Sequence, residues 1–410
     1  MKRMLAFATL LGVLSLVAAL VSSTASAVRT AKIATPAHIA GVVPTVHGPN
    51  DNCPPSGCGA GNLINHGGPV MTTNKTYAIY WVPGGYSIAP GYDTTINQFF
   101  TDVAHDSGMT TNVYSVDTQY SGIHYTSAFG GSVTDTNPFP ASGCPLYNGL
   151  PECLTDAQII AEVDNEINAN GWTRNGTNMF FLFTPINVGS CFDSSGSTCA
   201  YTAYCAYHGT TPSGAIYANQ PYAFNPNCDV GEYPNGSANN ADPTINVVSH
   251  EHNEAITDPQ LNAWYDAAGY EIGDKCAWTF GSRSGSAGAQ YTNTINGHNY
   301  FLQEEYSNSG SLCRQSFGGT GGGGVPTISS FSPTSGKHGI TVTITGNNFN
   351  GASWVGLVRN FAQYKSPFWT VVSNTKITVT VPSAPLGQSK WRVKTPGGTA
   401  TSTGFFNVTG

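Results

Sequence analysis

His250, Glu251 and Glu254 are the residues whose types and spacing carry chemistry in this 410-residue chain. An imidazole and a carboxylate four positions apart lie one above the other on a helix, so both can hold one metal ion, and the carboxylate between them can act as a base. The order matches the H-E-x-x-H zinc helix with Glu in place of the second His. The helix that must present them is bounded in the sequence. Asp242 is placed to cap it, Pro243 suits the first position, and Asp258-Pro259 ends it. At about 100° per residue, Val247, His250, Glu251, Glu254 and Thr257 share one face. Ile245, Val248, His252 and Ile256 share the other, so His252 points among aliphatics. The bland alternative is a solvated polar face, or a calcium site that only staples the fold.

A hydrolytic site needs three protein ligands and an open position. Asp274, in the E-I-G-D run after the helix, is the first choice for the third ligand and Glu271 the second, with the intervening glycine permitting a sharp turn. A capped turn, or an ion pair with Lys275, is the competing reading. With Zn2+ bound, Glu251 takes a proton from an activated water and passes it to the leaving group. Two carboxylate ligands blunt the Lewis acidity of zinc and favour a harder ion, Ca2+ or Mn2+. His66, His105, His124 and His298 have no local partner and read as structural or exposed.

The stretch SHEHNEAITDPQLNAWYD…YEIGDKC resembles the core of the phosphate-induced, EXORDIUM-like family of secreted proteins, which reads H-E-L-x-E, Asn/Asp-Pro, N-A-W-Y, E-I-G-D-x-C. HGGPVMTTNKTYAIYWVP (His66 to Pro83) and YCAYHG (Tyr204 to Gly209) resemble two further segments of that family. The likeness runs discontinuously from about Gly67 to Cys313. It implies a cell-exterior, growth-related setting and a zincin-like H-E-x-x-E motif. It also makes His208, the last residue of the C-G-F-H-like segment, a further candidate ligand. Tyr207, His208 or Tyr265 would then steady an oxyanion.

The compartment is legible from the termini and the cysteines. Lys2 and Arg3, the apolar run Leu5 to Val21, and Ala25-Ser26-Ala27 form an export signal cleaved after Ala27, an uncleaved anchor being the alternative. No other segment is apolar enough to cross a membrane. Sixteen Lys+Arg against 23 Asp+Glu give a net charge of −7, which leaves no basic stripe for nucleic acid. The ten cysteines all fall between Cys53 and Cys313, and an even count in an exported chain reads as disulfides. Short loops suggest Cys53–Cys58 and Cys144–Cys153, with Cys191, Cys199, Cys205 and Cys228 pairing among themselves, and Cys276 would then join Cys313.

Residues 28–65 read as an N-terminal extension or pro-segment. Within 66–317, the expected metallohydrolase domain, strands are predicted at Tyr77 to Val82, Val113 to Val116, Met179 to Thr184, Ala203 to His208 and Ala215 to Tyr217. Helices are predicted over Thr94 to Val103, capped by Asp93, and from the Thr155/Gln158 capping box to about Gly171. Alternating strands and helices imply an α/β (α+β), disulfide-containing, zincin-like domain with the metal helix packed beneath its sheet. After the glycine linker at 318–324, VPTISSFSPTSGKHGITVTITGNNF resembles the opening of an IPT/TIG domain. The resemblance implies an all-β immunoglobulin-like sandwich over 325–410, usually a spacer or attachment module. Trp354, Trp369 and Trp391 are there to stack on sugars or to fill its core. Asn74, Asn175, Asn235 and Asn407 begin N-x-[ST] sequons.

Three functions follow as expectations. One is a secreted metal-dependent hydrolase, zinc-peptidase-like, acting on an extracellular protein or peptide. A second is a non-catalytic extracellular or cell-surface binding protein with a structural metal site. The third is a wall carbohydrate-active enzyme, in which Glu251 and Asp274 would act as the carboxylate pair and His250 would have no role. Neither nucleic acid nor, after signal cleavage, a membrane is an expected partner.

Overall fold

The computed structural model describes residues 33–34, 38–39, 41–46, 53–54, 56–317, 326–349, 352, 354–360, 362–373, 375–395 and 398–410. The expected export signal and glycine linker lie outside them. Across the described residues the chain is mostly β-sheet with few helices and ends in an immunoglobulin-like domain.

The elements that position the site are β1 (Val42–Pro44), β2 (Asn74–Trp81), α1 (Tyr92–His105), β3 (Ser127–Asp135), α2 (Asp156–Ala169), β4 (Asn178–Phe183), β5 (Tyr204–Thr210), β6 (Ile216–Gln220) and α3 (Ala241–Thr257). The six strands form one sheet in the order β1-β5-β6-β4-β2-β3. β6, β4, β2 and β3 pair in parallel, while β5 runs antiparallel to both β6 and β1. β4 (NMFFLF) is buried at every residue, as a near-continuous apolar run should be when a sheet is covered on both faces. Its side chains alternate. Met179, Phe181 and Phe183 pack with Ile96, Phe99 and Phe100 of α1 and Ile245 and Val248 of α3. Phe180 and Leu182 pack with Ile159, Val163 and Ile167 of α2. The sheet is therefore the middle of three layers, with α1 and α3 on one side and α2 on the other.

Several local expectations need correction. α3 begins at Ala241, and its N-cap is Asn240 in the left-handed region (φ 56°). Asp242 instead lies inside the first turn, accepting hydrogen bonds from the backbone and side chain of Asn235. Gly91, not Asp93, precedes α1. Val113–Gln119 is a 3-10 helix rather than a strand, because its β-branched residues are buried by tertiary packing and not by a ladder. The Thr155/Gln158 box caps α2 as its sequence dictates, and α3 ends at Thr257, just before Asp258-Pro259.

Five disulfides use all ten cysteines: Cys53–Cys58, Cys144–Cys153, Cys191–Cys199, Cys205–Cys228 and Cys276–Cys313. In the C-terminal region, one sheet holds strands 327–332, 341–347, 376–380 and 369–373. The other is built around 387–395, flanked by 354–359 and 406–409. Val342, Ile344, Leu357, Val379 and Phe406 fill the space between them around a fully buried Trp391. That tryptophan is core. Trp354 and Trp369 are half-buried.

Candidate metal centre

α3 is buried along its whole length, polar residues included. A helix with that many polar side chains sealed from water must satisfy them internally. On the side away from the site, His252 does so through Tyr114 Oη (3.1 Å) and Asn74 Oδ1 (3.0 Å). Burial pulls its pKa down to about 3, so it stays neutral. On the opposite side, His250, Glu251 and Glu254 meet His208 from β5 and Glu271 and Asp274 from the loop after α3. Every sequence-derived ligand candidate is thus in one cluster, and each is no more than 2% exposed.

The distances within the cluster are short. His250 Nε2 is 2.9 Å from Glu254 Oε1 and 3.7 Å from Asp274 Oδ1. His208 Nδ1 is 2.9 Å from Glu251 Oε2 and 3.6 Å from Glu254 Oε2, and its Nε2 is 3.9 Å from Glu271 Oε1. Satisfaction is incomplete. Neither ring nitrogen of His250 is in hydrogen-bonding geometry, nor is Glu254 Oε2 or either carboxylate oxygen of Glu271. The 2.9 Å approach of His250 to Glu254 is therefore a close contact without the alignment of a hydrogen bond. Two ligands of one ion stand in that relation. Buried carboxylates and imidazoles left this way are costly unless a cation completes them.

Electrostatics point the same way. Burial pulls the His208 imidazole down, but the carboxylates of Glu251 and Glu254 outweigh it and lift the group to about 10. Burial likewise opposes protonation of His250, and Glu254 and Asp274 overcome it. Glu251 is pushed up to about 7 by burial, against the pull of its bond to His208. Burial, then the charges of Glu254, Asp258 and Asp274, drive Glu271 well above the carboxylate range. The shifts share one cause: four carboxylates held out of water favour any positive charge beside them, proton or cation.

Two contributors are not legible in the sequence, and a third, Gly273, acts otherwise than expected. The backbone N–H of Val43, on β1, donates to Glu251 Oε1 at 3.2 Å. The Asp258 carbonyl accepts from His208 Nε2 at 3.3 Å. Gly273 lies against the His250 ring; its φ of −76° is open to any residue, so the glycine is there for close approach and not for the sharp turn expected of it. Lys275 is bonded to Asp266 (2.7 Å) rather than to E-I-G-D. Tyr207 and Tyr265 are not at the site. The Tyr207 hydroxyl donates to Asp156 on the α2 side of the sheet, and Tyr265 stacks on His66.

The IPT/TIG domain family matches residues 326–408. No curated protein matches the chain. Among solved structures, a protein of unknown function from Bacteroides thetaiotaomicron aligns at 25% identity and TM-score 0.20, over 21% of this chain and 22% of its own. SGBP-B from a complex xyloglucan utilization locus in Bacteroides uniformis aligns at 19% identity and TM-score 0.20, over 36% and 38%. The chain thus spans less than two fifths of the length of either of these structures.

Proposed function

We propose that this is a secreted metal-dependent hydrolase, peptidase-like, carrying its C-terminal domain as an attachment or spacer module. The observation that carries the reading is the buried cluster of His250, Glu254 and Asp274 beside Glu251, with both His250 ring nitrogens and Glu254 Oε2 unsatisfied. Its likeness to EXORDIUM-like sequences and to the H-E-x-x-E motif fits. Five disulfides suit an oxidising exterior. His250, Glu254 and Asp274 would hold the ion, with zinc favoured by the imidazole and calcium or manganese by the carboxylates. A bound divalent ion supplies Lewis acidity, polarising a carbonyl and lowering the pKa of a coordinated water to about 7. Glu251 would accept the proton and return it to the leaving group. An extracellular protein or peptide is the favoured substrate, and surface carbohydrate the second.

Metal analysis of the purified protein by mass spectrometry tests this directly. About one or more equivalents of zinc or manganese, lost in Glu254→Ala, is expected; hydrolysis of a peptide library that fails in Glu251→Gln completes the case. Absence of bound metal sinks it. A second reading, a structural ion in a non-catalytic binding protein, is favoured by one observation: β1 seals the cluster, Val43 being fully buried. Proteolytic removal of residues up to 46 separates the two. Hydrolysis that appears on removal supports the enzyme, and a metal-loaded protein still inert to the library supports the structural ion.

A further inference from the structure

The candidate donors number five residues, and they do not form a single shell. They fall into two groups, His250/Glu254/Asp274 and His208/Glu254/Glu271, each with its donor atoms within 4.8 Å of one another and sharing only Glu254. Two donors on one zinc ion can be no further apart than twice the bond length, about 4.4 Å, so a single zinc ion does not serve both groups as they stand. We propose that the centre holds two divalent cations bridged by Glu254, the second bound by His208 and Glu271.

Glu254 is oriented for this. Its Oε1 faces His250 at 2.9 Å and also accepts the Asp274 backbone N–H at 2.9 Å. Its Oε2 faces His208 Nδ1 at 3.6 Å and makes no hydrogen bond. His208 is set up as a ligand in its own right. With an ion bound, donation of its Nε2–H to the Asp258 carbonyl would leave Nδ1 as the electron-pair donor, the arrangement by which an outer carbonyl fixes the tautomer of a metal-bound histidine. Nδ1 lies 2.9 Å from Glu251 Oε2, where a proton on the ring bridges the two, and a cation on Nδ1 would take that proton's place. Glu271 is the clearest sign. It is fully buried with both oxygens unpartnered, and the first ion's ligand set does not use it.

Charge balance selects two ions over one. When ionised, Glu251, Glu254, Glu271 and Asp274 set four negative charges against two histidines, and the buried Asp258 and Glu305 act on the same space. One divalent ion with neutral imidazoles leaves at least two of these charges uncompensated out of water, and a second ion offsets them. Lys275 does not help, being taken by Asp266. An imidazole with carboxylates suits Mn2+ or Zn2+ at the second position. In hydrolases such pairs clamp both the attacking and the leaving oxygen, so the inference deepens the proposed hydrolase reading and rests on its first ion.

The test is Mn2+ loading of the full chelator-stripped protein, followed by metal counting and electron paramagnetic resonance. Two equivalents with a spin-coupled spectrum are expected, falling to one uncoupled equivalent in Glu271→Gln. One equivalent in both proteins overturns the second ion and leaves the first standing. One equivalent in the wild type that Glu271→Gln abolishes means a single shared ion and also overturns the proposal. Two uncoupled equivalents overturn the Glu254 bridge. No binding at all overturns the hydrolase reading with it. Should Glu271→Gln fail to fold, the wild-type count and coupling decide alone.

Discussion

Gly273→Ala offers a sharp probe of the centre, because the backbone there is helical (φ −76°, ψ −44°) and alanine is free to adopt it. Chain entropy alone would make the substitution stabilising by about 0.4–1 kcal/mol. Sterically the position is closed. An added Cβ would lie 2.8 Å from His250 Cδ2 and 2.9 Å from both Cγ and Nε2. Carbon contacts relax at about 3.5–4 Å, so the ring must retreat by roughly 0.7–1.2 Å. It has nowhere to go without losing its alignment, since Nε2 is already 2.9 Å from Glu254 Oε1. A ligand displaced by that much should behave like a lost outer-sphere partner, lowering metal affinity about 10–100-fold. Overpacking adds a destabilisation of about 1–3 kcal/mol. Competition with a chelating dye measures the first quantity and thermal unfolding of the metal-free protein the second. A Gly273→Ala protein that melts higher and binds metal as tightly as the wild type would refute the reasoning, and with it the assignment of His250 as a ligand.

Other expectations concern the scaffold. Asp135, Glu162 and Glu166 are buried together at the end of β3 and along α2. Burial, then the neighbouring Asp135 carboxyl, push Glu162 up to about 8. A carboxyl raised above its unfolded value stabilises fully below that value, and the contribution is lost as pH rises toward 8. Melting temperature in chelator should therefore fall between about pH 4.5 and 8 more steeply in the wild type than in Glu162→Gln, and superimposable curves would count against the shift. Replacing both Cys276 and Cys313 by alanine opens a loop of sequence separation 37 beside Asp274. Chain entropy puts the loss at about 4 kcal/mol, readable by denaturant titration; an effect below about 1 kcal/mol would show that the unfolded chain is already restrained there. Trp391→Ala should cost about 3–5 kcal/mol of unfolding free energy in the C-terminal domain while leaving metal content unchanged, and metal loss would contradict that separation.

Much of the site was written in local pattern. The i, i+4 spacing puts His250 over Glu254, Asp258-Pro259 stops α3 at Thr257, and the short cysteine spacings close on themselves. What escaped the sequence is what depends on partners far along the chain. Val43 reaches Glu251 across 208 residues, and no local signal marks Val42–Pro44 as a sheet strand. Asn240 takes a left-handed cap because the preceding loop folds back, Asn239 bonding to Thr95 and to the start of α3. Val113 to Val116 has strand composition, but its neighbours bury it as a helical turn. One misplacement was avoidable: successive residues of a strand face opposite sides, so Tyr207 and His208 never had a common site to share.

If the proposed peptide substrate docks as a strand, the edge strand β1 has a kinetic consequence. It pairs antiparallel with β5, Val43 opposite Ala206 and Val42 opposite Tyr207, and its Gly41 carbonyl takes the His208 backbone N–H. A peptide that docks by adding a strand to β5 must displace a competitor tethered to the same molecule, whose effective concentration is of millimolar order for a short tether. Apparent affinity for such a peptide is scaled down by the fraction of chains in which β1 is undocked. Turnover would then report the length and sequence of the N-terminal segment as much as the chemistry beneath it, and two preparations differing only in where that segment was clipped would register as different enzymes.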